Sequence, residues 1–167
     1  VKPRRNSPRR LLGNPLLSER IHDPYYSRVK PREATSCPQC GVRYRNGRWT
    51  MPASKVSAFR SQLCPACRRI NDHYPAGELL LTGEFIDAHR SEIIATIRHV
   101  EESERQEHPL NRIMEIETRD DGLRITTTDL HLPHRIAHAL SDAWGGTMGT
   151  HYDRNGYFTR VIWERND

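Results

Sequence analysis

Apolar residues are scarce in this chain. Only 35% of its 167 residues are hydrophobic and 7% are aromatic, and Leu, Ile, Val and Phe together number 33. That share lies at the margin below which a chain stops supporting a large core, which argues against a big single-core enzyme. Long apolar runs are missing too. Nothing approaches the roughly 18 residues of a membrane-spanning helix. The pairs Leu11-Leu12 and Leu16-Leu17 are interrupted by Gly13 and Pro15, too short for a secretory apolar core. A soluble, cytoplasmic protein is expected. Catalytic signatures are equally absent: no Walker-type phosphate loop, no nucleophile elbow, no GxGxxG turn. No catalytic residue is assigned.

Acidic residues are few in the first half, and that shortage carries information. Residues 1–36 have nine Lys or Arg against three acids, and residues 37–73 have seven against one. Residues 74–167 reverse the balance, with ten bases against seventeen acids. A net charge of +12 over residues 1–73 beside −7 over the rest points to an N-terminal surface for a polyanion. Of the 26 basic residues only 3 are lysine. Arginine suits phosphate forks and base stacking, although a GC-rich genome yields the same excess, so placement matters more than number.

Three segments follow. Residues 1–36 hold five prolines and no sustained period, which predicts a disordered basic arm that orders on RNA. Its contacts would come from Arg4, Arg5, Arg9, Arg10, Arg20 and Arg28, with Tyr25 and Tyr26 stacking on bases. Residues 37–73 contain all four cysteines, as Cys37-Pro-Gln-Cys40 and Cys64-Pro-Ala-Cys67 separated by 23 residues. Two thiolates two residues apart clasp a metal from a tight knuckle, and two knuckles complete a tetrahedron with no open position. One structural zinc on Cys37, Cys40, Cys64 and Cys67 is expected. A disulfide or redox role suits neither a cytoplasmic chain nor this context. Between the knuckles, Asn46-Gly47 flanked by Val42–Arg45 and Arg48–Thr50 reads as a hairpin with a type I′ turn. Alternation places Arg43 and Arg45 on one face and Val42 and Tyr44 on the other. With Arg48, Arg60, Arg68 and Arg69 they give this zinc ribbon a basic shell.

Residues 74–167 read as an α+β domain. A helix is expected over about 84–107, capped by Thr82 and stopped by Pro109, followed by a hairpin turning at Asp121-Gly122. A second helix starts between Asp129 and Pro133 and ends at Gly145-Gly146; a last hairpin turns at Asn155-Gly156. The order is α-β-β-α-β-β with a mainly antiparallel sheet, and Glu78–Leu81 reads as a short strand or lead-in. His131, His134 and His138 read as a polar helix face rather than a metal site, and Glu101, Glu102, Glu104 and Glu107 as a solvated face. On the last hairpin His151, Phe158 and Arg160, opposite Trp163, form a candidate RNA or partner platform.

The order CPQCG, CPAC, then an α-β-β-α-β-β unit ending in TRVIWER resembles the zinc-binding N-terminal part of the Nmd-three large-ribosomal-subunit adaptors. A short bacterial zinc-ribbon group sharing TTDLHLPHRIAHAL and RVIWER is more similar still. The resemblance covers about residues 22–167. The adaptors carry more zinc-binding cysteines and further domains, so the resemblance implies ribosome contact and not subunit export. The expectation is a non-catalytic RNA-binding factor on the ribosome, contacting rRNA and ribosomal proteins, in translational silencing (hibernation) under stress or in assembly. The alternatives are a zinc-ribbon transcriptional regulator on DNA and, less favoured, a metal-dependent enzyme.

Overall fold

The computed structural model describes residues 23–25, 27, 29–52, 60–153 and 157–167. Two small cores organise them. The first lies in the cysteine-bearing segment and consists of Cys37, Val42, Cys64, Ala66 and Cys67, with Trp49, Leu63 and Leu110 packed against it. A four-stranded sheet surrounds it: β1 (Thr35–Ser36), β2 (Arg43–Arg45), β3 (Arg48–Thr50) and β4 (Arg60–Ser61), in the order β3-β2-β1-β4. The expected hairpin is there. Tyr44 faces Trp49 across β2 and β3, and Asn46 and Gly47 both take positive φ, 50° and 79°, as a type I′ turn requires. The sequence did not signal the helix α1 (Pro65–Asn71) that the second knuckle opens. Nor does the ribbon begin at residue 37, since Thr35 pairs with Tyr44 and Ser36 with Arg43.

The second core is fed by alternation on a five-stranded sheet and by two long helices. Its strands are β5 (Gly77–Thr82), β6 (Ile113–Arg119), β7 (Gly122–Thr127), β8 (Thr147–Tyr152) and β9 (Thr159–Glu164), in the order β6-β7-β5-β9-β8. Leu79, Leu81, Leu123, Ile125, Val161 and Trp163 pack with Ile93 and Ile97 of α3 (Arg90–Glu107) and Ile136 and Leu140 of α4 (Leu132–Trp144). The short α2 (Phe85–Ala88) adds Phe85 and Ile86.

The expected four-strand arrangement needs correction. Of the two readings of Glu78–Leu81 the strand holds, but it runs over Gly77–Thr82 and is the central one, antiparallel to β7 and parallel to β9, so the sheet has five strands and is mixed. Being hydrogen-bonded on both edges and nearly all buried, β5 shows no alternation, which is why it read weakly. Thr82 accordingly ends a strand and caps no helix. Gly122 lets β7 start hard against β5. A Cβ there would stand 1.9 Å from the Leu81 carbonyl oxygen, and its φ is +146°. The helix start at Asp129–Pro133 holds, because the buried Asp129 carboxylate accepts from the His131 and Leu132 amides at 2.7 and 3.3 Å. The Asn155-Gly156 turn lies outside the described residues. Among the described residues no helix is long and apolar enough to cross a membrane.

Helices cover one face of the sheet. On the other, Glu78 of β5 is buried between Arg124 of β7 and Arg160 of β9, paired with both. Burial alone would push its carboxyl up; the two guanidinium hydrogen bonds outweigh that and hold it below the usual range. A depressed folded-state carboxyl contributes stability above its unfolded pKa and loses it as pH falls through the folded value. Glu78→Gln is therefore expected to lower stability at neutral pH by about 1–3 kcal/mol. The difference from the parent should shrink as the pH drops below the ordinary glutamate range. Urea unfolding at pH 7 and at successively acidic pH checks this, and a constant difference contradicts it.

Candidate metal centre and the arginines around it

The metal centre is built from backbone outward. In the first knuckle the Gly41 amide donates to the Cys37 carbonyl at 2.9 Å, and the Cys37 amide to the Val42 carbonyl at 2.8 Å. In the second, Cys64 caps α1: the Cys67 amide donates to its Sγ at 3.4 Å. Side-chain amides of Gln39 and Asn71 join the two knuckles through reciprocal hydrogen bonds of 3.2 Å. The result brings the four Sγ atoms within 4.8 Å of one another. A tetrahedral ion with sulfur at about 2.3 Å needs sulfurs roughly 3.8 Å apart, and Cys40 and Cys64 already lie at 3.6 Å. The residues fit a metal ion. Among the described residues no other group of histidines, cysteines and acids gathers in this way.

Electrostatics support the same chemistry. Hydrogen bonding from Cys64, foremost among its neighbours, lowers the Cys40 thiol to about 5, while burial raises Cys67 to about 11. Cys64 is pushed up by the hydrogen bond it shares with Cys40, and burial adds to this. Four thiols this close share protons that a cation displaces, so binding is favoured by rising pH. One residue of this centre was invisible in the sequence. Arg112, 45 residues away in the chain, donates Nη1–H to Cys67 Sγ at 3.3 Å. Its positive charge favours the thiolate and ties the centre to the strand-bearing unit. No spacing rule could have found it.

The arginines assigned to RNA from the sequence divide sharply. Arg45, Arg48 and Arg60 are exposed and Arg43 is half-buried, and among the described residues none of these makes an ion pair. Arg45 and Arg48 are direct cross-strand neighbours. Arg69 is a correction. It is 1% exposed, pairs with Asp23, donates to the Tyr74 carbonyl at 3.0 Å and lies 4.5 Å from the Tyr25 ring. Its guanidinium faces protein, not solvent. Tyr25 is similarly committed, donating its hydroxyl to Asp72 at 2.7 Å, and Arg68 donates to the Tyr25 carbonyl at 3.2 Å. Residues 23–25 are thus held by α1 instead of extending freely. Arg4, Arg5, Arg9, Arg10, Arg20, Tyr26 and Arg28 lie outside the described residues.

Removing the buried guanidinium should be costly. Arg69→Ala strands Asp23 and the Tyr74 carbonyl, and an expected loss of about 3–5 kcal/mol follows. Arg69→Lys should recover only part of it, because one ammonium cannot serve both partners in the same plane. Thermal unfolding of the two variants checks the order; equal midpoints would contradict it.

Most of the described arginines of the strand-bearing unit are spent internally, although Arg105 makes no ion pair. Arg90, Arg98, Arg119, Arg124, Arg135 and Arg160 all pair with carboxylates. Arg160 therefore holds Glu78, and the expected platform loses its base. His151 is its cross-strand neighbour, while Phe158 precedes the strand and is half-buried. The acidic helix face is also only partly solvated. Glu104 is buried against Asn111 and Arg135, and Glu101 accepts the Ile113 amide at 2.7 Å. His134 is half-buried with Nε2 3.3 Å from the Tyr152 hydroxyl, whereas His131 and His138 are exposed. Burial and the two neighbouring histidines lower the pKa of His134. The three form a polar helix face beside β8.

No family model, curated protein or solved structure matches the chain.

Proposed function

We propose that this protein is a non-catalytic zinc-ribbon factor that binds RNA and associates with the ribosome. The observation that carries this reading is the division of the arginines. Those on the ribbon hairpin have no carboxylate partner among the described residues, while six on the acidic unit are paired. A guanidinium held free on a rigid hairpin is ready for a phosphate; one already in an ion pair is not. The ribbon would then supply rRNA contacts and the acidic unit would dock by shape or against ribosomal protein. Zinc is the ion that four thiolates in a closed tetrahedron select, and it would serve structure, since no coordination position remains for a substrate. The resemblance of the knuckles and the chain's end to ribosomal adaptors points the same way. Translational silencing under stress and subunit assembly are the two roles such a factor would fill.

The test is sedimentation of a cell lysate through a sucrose gradient at low salt. Co-migration with a ribosomal peak, released by raising the salt, is the expected result. Migration only at the top of the gradient at every salt concentration would rule the reading out.

A further inference from the structure

The five-stranded sheet has two edges, and they differ in chemistry. On the β6 edge stand Glu115, Glu117 and Arg119, and the pairing with β7 slips between Ile113 and Glu115. Charges and an irregular register are devices that keep a free strand edge from pairing with another chain. β8 has neither. It pairs with β9 in unbroken register over all six residues, and no lysine, arginine, aspartate or glutamate occurs between Gly145 and Tyr152. Among the described residues no strand pairs with its outer side. The same strand leaves apolar side chains uncovered. Thr150 stands beside the buried Val161 and Met148 beside the buried Trp163, so Met148, Thr150 and Tyr152 share the face that carries the core. α4 lies chiefly over β9 and β5, which leaves β8 open on that side. Met148 is accordingly 40% exposed and Tyr152 68%.

We infer that β8 pairs antiparallel with β8 of a second copy of this chain, about a two-fold axis at Thr150, joining the two sheets into one. Symmetry restricts the choice. Directly opposite residues on paired strands point to the same face, so a two-fold axis normal to the sheet falls at a residue and not between two. An axis at Thr150 sets Met148 against Tyr152 of the second copy, and Tyr152 against its Met148. Each exposed apolar side chain then covers the other, and methionine sulfur beside an aromatic ring is a favourable contact. On the opposite face His151 lies against Gly149 of the second copy, where a Cβ would meet nothing and space remains for the imidazole. An axis at Gly149 would set Tyr152 against Gly146, and one at His151 would set Met148 against a residue beyond the strand's end. A strand from an unrelated protein would find the same backbone edge, but not this internal match. Contact through residues 148–152 of each copy lies at the small end of the size range, so association in the micromolar range is expected.

The experiment is sedimentation equilibrium of the full chain over a concentration series. The parent should pass from 19.4 kDa to twice that mass as concentration rises. Thr150→Glu and Thr150→Lys each set like charges face to face at the axis, so each alone should associate at least about tenfold more weakly. Mixed in equal amounts the two should associate again, because glutamate then meets lysine. That recovery requires both variants to be folded and Thr150 to face its own copy. Met148→Ser with Tyr152→Ser, both at exposed positions, should also weaken association by roughly tenfold, and it serves if a charge at Thr150 prevents folding. A parent that keeps the mass of one chain up to millimolar concentration overturns the inference. If it dimerises only once residues 1–22 are removed, the arm holds the edge and the inference falls too. Undiminished association in any of these variants, or a mixture of folded Thr150 variants that stays apart, places the contact elsewhere and overturns it likewise.

Discussion

Cys40→Ser is expected to unfold the ribbon and leave most of the strand-bearing unit standing. The ribbon core has five buried members, and three of them are the candidate ligands Cys37, Cys64 and Cys67. So small a cluster cannot offset the ordering entropy of some forty residues. Metal binding in such ribbons contributes folding free energy directly, about 10–16 kcal/mol for isolated zinc-finger peptides at neutral pH. Cys40 is the most exposed of the four, so replacing it removes a ligand with the least loss of packing. The second core rests on fifteen buried residues of its own. Purified parent should contain one zinc per chain by metal analysis, and none after chelation. Amide spectra of Cys40→Ser should lose dispersion for residues 35–52 and 60–73 and keep it for residues 77–153 and 157–164. The two units are nevertheless joined through Arg112 to Cys67 and through Leu110 on the ribbon core. The second unit should therefore survive with a lowered midpoint. Arg112→Ala, which withdraws the positive charge beside Cys67, should weaken metal retention by roughly tenfold or more. Parent protein without metal, or with intact disulfides, would refute the centre. Full unfolding of Cys40→Ser would refute the independence of the second core.

Binding to ribosomes is expected to collapse when Arg43, Arg45 and Arg48 are together changed to Glu. Each phosphate contact contributes about 0.7–0.9 to the slope of log affinity against log salt. Removing three contacts should flatten that slope by roughly two to three units. The loss of affinity should be at least about tenfold at low salt, because glutamates in their place repel the backbone. The control follows from the ion-pair pattern. Arg98 and Arg119 are already paired with Glu101 and Glu117, so Arg98→Gln and Arg119→Gln should leave ribosome binding alone. Glu102→Gln with Glu115→Gln, both at exposed positions, should do little or strengthen binding slightly. Glu101 and Glu104 are unsuitable for that control because both hold structure. Truncation of residues 1–22 tests the share of the arm, whose charge the sequence alone suggests. Pelleting with purified ribosomes over a salt series reads all of these. If the arginine-reversed protein pellets like the parent while the paired-arginine variants fail, the binding surface lies on the strand-bearing unit.

Local chemistry carried much of the structure in plain sight. Two CxxC spacings bring four thiols together because each knuckle needs only its own turn. Asn46-Gly47 specifies its hairpin because few other residues tolerate positive φ at both positions. Asp129 announces α4 because a short carboxylate reaches the first free amides of a helix. These rules act within a few residues, and the charge division between the two halves is simple arithmetic. Tertiary structure decided what depends on partners far away in the chain. Gly77–Thr82 became the central strand only when β7 and β9, contributed by later parts of the chain, closed on both its edges. Arginine side chains are chemically identical in a sequence, yet Arg160 is claimed by Glu78 across 82 residues, Arg69 by Asp23 across 46, and Arg112 by Cys67 across 45. Which guanidinium remains free for a phosphate is set by where the folded chain brings its carboxylates.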